Sequence, residues 1–152
     1  MSAITICRIE DSGLIKSAMN HPRVYPHIID DGCIGIEIDV NPALLYLGAF
    51  DGDEFLGLFL VNRHNFVCFE VHTCLLPASW GDRAHHAARA LIAWVFEKTE
   101  CKRLITNVPQ SNALALKFAE SAGMVQFGIN EGSFQRNGAI ESQILLGISK
   151  EL

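Results

Sequence analysis

Glu70 and His72 stand two apart in the run Phe66 to Leu75, so in a strand their side chains share one face with Phe66, Cys68 and Cys74. A carboxylate beside an imidazole on a largely apolar face suits proton transfer. Either group can take a proton from a substrate, directly or through water, and a half-buried setting would be expected to tune such groups. The alternative is a solvated face, or a pair that satisfies only its neighbours.

A second constellation begins at Gly81, where Asp82, Arg83, Ala84, His85 and His86 open a helix. Helix starts carry unpaired N–H groups and a partial positive charge, so they bind phosphate without special side chains. Gly81 lets the backbone approach a ligand closely. The amides of Asp82 to His86 are expected to cradle a pyrophosphate, with Arg83 adding a charge-assisted contact. Asp82 opposes this, being an anion where an anion would sit; the competing reading is an ordinary capped helix. His85 and His86 point about 100° apart on a helix and no His or acid follows at i+4, so they read as helix surface and no metal is expected.

The elements that must position these groups follow from periodicity. Ile4–Ile9 alternates as a strand, and Asp11-Ser12 caps a short helix over Gly13–Met19. Prolines and glycines between Pro22 and Pro42 predict an irregular section with at most one short helix. Three strands follow, near Leu44–Phe50, Glu54–Asn62 and Phe66–Leu75, joined by turns at Asp51-Gly52 and Arg63-His64-Asn65 as an antiparallel meander. Ala84, Ala87, Ala88, Leu91, Ile92, Val95 and Phe96 then build one apolar helix face, capped by Ser79-x-x-Asp82 and running to about Thr99. A strand at Arg103–Asn107 precedes a second amphipathic helix, capped by Ser111 or Asn112 and stopped at Gly123. Two strands flank Asn137-Gly138, the dipeptide of a type I′ hairpin. The order predicts a single mixed α/β domain with its ligand where Phe66–Leu75 leads into the long helix.

Composition sets limits on function. The 152 residues suit one domain, and their 49% hydrophobic content holds no apolar run of bilayer length. A net charge of −5 argues against sequence-independent nucleic-acid binding and leans toward cationic or amine-bearing partners. The odd, scattered cysteines Cys7, Cys33, Cys68, Cys74 and Cys101 read as reduced thiols. Met1 to Glu10 lacks a secretory pattern, so a cytoplasmic protein without membrane attachment is expected.

Three segments in this order resemble the GNAT superfamily of N-acetyltransferases, from Ile4 to Ile148. Phe69–Pro77 looks like its fourth strand, with Glu70 at the family's acidic position. Trp80-Gly81-Asp82 looks like its W-G-x-G-x-A helix start, although Arg83 stands at the second glycine and His85 at a small residue. In the alternative register Arg83-x-x-His86-x-Ala88, His86 replaces a glycine. Asn112–Met124 is similar to its N-x-x-A…G-[FM] helix, with Asn112, Ala115, Gly123 and Met124 in register. The texture around Ser79-Trp80-Gly81 and Trp94–Thr99 is most similar to small bacteriophage-encoded members.

The resemblance implies a GNAT fold, a mostly antiparallel mixed sheet of six to seven strands with flanking helices. It implies direct transfer of acetyl from acetyl-CoA, as cosubstrate, to an amine of a protein or small molecule, and homodimers are frequent in the family. Backbone at Cys74, Leu75 and Leu76 would hold the acetyl and pantetheine groups, the Gly81–His86 start the pyrophosphate, and Glu70 or His72 would be the base. Cys74, at the acetyl position, is expected to be inert. Tyr25, His27, Asp30, Asp31 and Glu37 border the acceptor site, where the acids either select a cation or form a solvated loop. Ala119 replaces the tyrosine that protonates the leaving thiolate in many members, which leaves a binding or protein-interaction module without turnover as the alternative.

Overall fold

The computed structural model describes residues 3–151. Seven strands form one sheet in the order β1-β2-β3-β4-β5-β7-β6. In sequence they are β1 (Ile4–Arg8), β2 (Leu45–Asp51), β3 (Glu54–Arg63), β4 (Cys68–Leu75), β5 (Arg103–Pro109), β6 (Val125–Arg136) and β7 (Ala139–Ser149). Only β4 and β5 pair in parallel; all other neighbours are antiparallel. The crossover between that parallel pair is the long helix α3 (Asp82–Lys98). Helices α1 (Ser12–Met19) and α2 (Tyr25–Ile28) precede the meander, and α4 (Ala113–Ser121) joins β5 to β6.

Alternation along the strands sends apolar side chains to both faces. On one, Phe69, Val71 and Leu75 pack with Ala84, Ala87, Leu91 and Val95 of α3 and with Ala119 of α4. On the other, Tyr46, Leu58 and Cys74 pack with Ile15, Ala18 and Met19 of α1 and with Val24. The β4 side chains beyond the paired zone thus separate two compartments of the molecule.

Pairing of β4 with β5 covers only Cys68↔Arg103 to Glu70↔Ile105, after which the strands diverge. At the fork, Thr106 Oγ1 donates to the Val71 carbonyl at 2.8 Å, a side chain standing in for the lost ladder. Phe66, expected in this strand, instead lies in the preceding bend and is 74% exposed.

Two caps differ from expectation. Pro77–Ser79 forms a 3-10 turn in which the buried Ser79 hydroxyl donates to the Leu76 carbonyl at 2.7 Å, so no capping box forms. Gly81 is the N-cap of α3 instead, at φ +106° with no side-chain cap. Asn112 rather than Ser111 caps α4, accepting from the Ala115 N–H at 3.2 Å, because Ser111 is held by Glu141. Asn137 and Gly138 both have positive φ, 54° and 76°, as a type I′ turn requires.

Candidate functional site

The fork between β4 and β5 opens into a cleft of about 900 Å³. Its walls come from β4, the start of α3, α4, the α1–α2 segment and the β6–β7 hairpin.

Main-chain direction along β4 decides which groups face this cleft. The Leu76 N–H donates to the Leu56 carbonyl at 2.8 Å. Alternation back along the strand therefore points the backbone groups of Cys74 and His72 at β3 as well. Those of Val71, Thr73 and Leu75 point toward β5, which is paired no further than Glu70. The carbonyls of Val71 and Leu75 are bound by Thr106 Oγ1 and Trp80 Nε1, the latter at 3.0 Å, whereas the amides of Thr73 and Leu75 open onto the cleft. The expectation for Cys74 to Leu76 is thus corrected: Leu75 faces the cleft with its backbone, while the Cys74 and Leu76 amides are engaged by β3. Cys74 lines the cleft only through its buried side chain, whose thiol burial pushes up to about 12.

At the start of α3, Gly81, Ala84 and His85 line the cleft; Asp82, Arg83 and His86 do not. The His85 N–H closes the first helical turn onto the Gly81 carbonyl at 3.2 Å, so only the amides of Asp82, Arg83 and Ala84 lack helical partners. Arg83 is turned away. Its guanidinium grips Glu54 at 2.9 and 3.1 Å, Asp51 at 3.3 Å and the Ala78 carbonyl at 2.7 Å, which removes it from the expected phosphate contact. His86 is exposed on the outer side, and His85 pairs with the Ser121 hydroxyl at 2.9 Å and stacks on Phe118. Asn112 lines the cleft near Ala115, with Lys117 one turn along α4.

Glu70 and His72 do share a face. His72 Nε2 hydrogen-bonds one oxygen of Glu70, and His64 Nε2 lies 2.9 Å from the other. His72 lines the cleft and Glu70, with 14% of its side chain exposed, lies behind it. The His72 hydrogen bond, opposed by burial, holds the Glu70 carboxyl below its ordinary range. His64 carries no motif in the sequence, and its one signal is its place in the β3–β4 turn. Thr73, Thr106, Arg23 and Arg136 likewise line the cleft without a motif that marks them.

The acids expected at the acceptor end lie elsewhere. Asp31 accepts from the Asn137 and Gly138 amides at 2.7 and 2.8 Å, Asp30 caps its own 3-10 turn, and Glu37 pairs with Lys16 at 3.2 Å. Tyr25 donates to backbone within the same segment. His27 alone of the five lines the cleft. No Asp or Glu is among the described residues that line it.

Spermidine N-acetyltransferase from Vibrio cholerae, in complex with CoA and spermine, matches with a TM-score of 0.78 over 96% of this chain and 95% of its own, at 16% identity. An aminoglycoside N(6')acetyltransferase from Legionella pneumophila matches at 0.77 over 98% and 93%, with 13% identity. A GNAT-family acetyltransferase from Bacillus anthracis matches at 0.73 over 98% and 96%, with 14% identity. These likenesses establish the GNAT fold, as the resemblance implied. No curated protein matches the chain significantly. Residues 7–141 match the family described as protein of unknown function (DUF2824), and the chain belongs to that family.

Proposed function

We propose that this protein transfers an acetyl group from acetyl-CoA to an amine by direct transfer in a ternary complex. The observation that carries the reading is the fork beyond Glu70, which leaves the Thr73 and Leu75 amides open in a cleft beside His72. The residues fit a coenzyme A: two strand amides for a carbonyl and pantetheine arm, and the uncapped start of a 17-residue helix, which meets the cleft at Gly81 and Ala84, for a pyrophosphate. A Cβ at Gly81 would meet nothing within 4 Å, so the approach to that helix start is open. Acetyl-CoA, when bound, supplies a thioester activated toward nucleophiles.

The chain's own groups then have distinct tasks. Thr73 and Leu75 N–H groups hold the acetyl oxygen as negative charge gathers on it, a fixed contact of the kind that often dominates acyl transfer. His72 takes the proton that the acceptor nitrogen sheds as the new C–N bond forms and the C–S bond breaks. Glu70 is a positioning residue: its ionised carboxylate fixes the His72 ring, and its lowered pKa makes it a poor proton acceptor at neutral pH. The leaving sulfur takes its proton from water, because the buried Ala119 offers none.

That same Ala119, with Arg83 engaged by acids, favours a second reading as a CoA-binding or interaction module without turnover. Calorimetry with acetyl-CoA and thiol release across an amine panel divide the two. His72→Gln is expected to lower transfer by about 10²–10⁴-fold with acetyl-CoA affinity retained. An unchanged rate removes His72 as the base, and absent binding at millimolar cofactor removes both the transferase and the CoA-binding module.

A further inference from the structure

Besides β4 with His72, the cleft is walled by the α1–α2 segment and by the β6–β7 hairpin, which contribute Arg23, His27 and Arg136 and no acid among the described residues. Arg136 is held rigidly: Nη2 donates to the carbonyls of His27 at 3.3 Å and Ile29 at 3.1 Å, and the guanidinium packs on Phe134 at 5.0 Å. Its Nε is buried and has no hydrogen-bond partner among the described residues. Asp31 and Glu141 lie near enough to feel its charge, but their oxygens accept from the Asn137, Gly138 and Ser111 amides. Arg23, from the facing segment, stacks 5.1 Å over Trp80.

A guanidinium that lines a cleft holding no acid among its described lining residues is best matched by an anionic oxygen of the ligand. A polyamine entering the same space would meet like charges and no acid among the described residues that line it. We infer that the acceptor amine carries a carboxylate, held by Arg136 and Arg23 while its nitrogen is presented to His72: an amino acid or a similar small amine, and not a polyamine. The amine's role rests on the transferase reading; the carboxylate subsite does not.

The test is calorimetry on the CoA-loaded protein with matched ligands that differ only in the carboxylate, lysine against cadaverine and phenylalanine against phenethylamine, with thiol release measured in parallel. The carboxylate member of each pair is expected to bind about tenfold or more tightly, and Arg136→Gln to bring the pair toward parity. Arg23→Gln is the second variant, because among the described residues Arg23 makes no backbone hydrogen bond through its side chain that folding could lose. Equal or tighter binding of the decarboxylated members overturns the inference, as does absent binding by all four. A carboxylate preference without thiol release supports the subsite and overturns the transferase reading alone.

Discussion

At the residue scale, the cluster His64, Glu70 and His72 joins a local and a non-local contact. That Glu70 and His72 share a face was legible, because strand alternation is a property of two residues. His64 was not, since its approach depends on how the β3–β4 turn folds. The same limit hid the grip of Asp51 and Glu54 on Arg83, made across about thirty residues of chain. The lowered Glu70 pKa has a consequence for stability. A carboxyl whose folded pKa is depressed contributes stability above its ordinary value, and that contribution fades as pH falls through the lower folded value. Urea midpoints of the wild type and Glu70→Gln should therefore differ by a constant amount near neutrality, and the gap should close below the ordinary 4.5. A gap undiminished in acid would mean that the hydrogen bonds, and not the ionised carboxylate, carry the difference.

At the element scale, β3 lies hard against the end of β4, past the point where β4 has left β5. Gly57 has φ +119°, and a Cβ there would lie 2.6 Å from the Cys74 carbonyl, 2.7 Å from Leu75 Cα and 2.8 Å from the Leu76 nitrogen. Backbone cannot yield as a side-chain tip does. Gly57→Ala is expected to cost about 1–3 kcal/mol for overpacking and a similar amount for the strained φ. Gly35→Ala, at φ +76° with nothing within 4 Å, carries only the conformational cost, so it should lose about half as much in a denaturant titration. Equal losses would show that the close approach relaxes freely. The amphipathic α3, the Asn112 cap and the Asn137-Gly138 hairpin were legible because each is local. The Ser79 cap failed because the Pro77 turn claimed its hydroxyl first, and the fork in the sheet left no mark in the sequence that periodicity detects.

At the scale of the whole molecule, net charge and site charge point in opposite directions. The chain carries −5, yet its cleft is lined by Arg23, Lys117 and Arg136 with no Asp or Glu among the described residues. Apart from Glu70 behind His72, acids such as Asp31, Asp51, Glu54 and Glu141 are taken up by turns, backbone amides and ion pairs away from the cleft lining, so the overall sign describes solubility and long-range steering and not recognition. Asp82 is the exception in position, since it begins α3 beside the amides proposed to hold pyrophosphate. In the free protein it favours the helix start by about 0.3–1 kcal/mol, so Asp82→Asn should melt slightly lower. With coenzyme bound, the same carboxylate repels the ligand, and its removal should strengthen binding. Ligand at 100 times its Kd stabilises a fold by about 2.7 kcal/mol, and each further tenfold in affinity adds about 1.4 kcal/mol. At one fixed acetyl-CoA concentration the melting shift of Asp82→Asn should therefore exceed that of the wild type. The excess should shrink as salt rises, because exposed charges are screened within about 10 Å at 0.1 M. A smaller shift in the variant would place the phosphates away from the start of α3 and would leave the strand amides of Thr73 and Leu75 as the part of the cofactor site still to be tested.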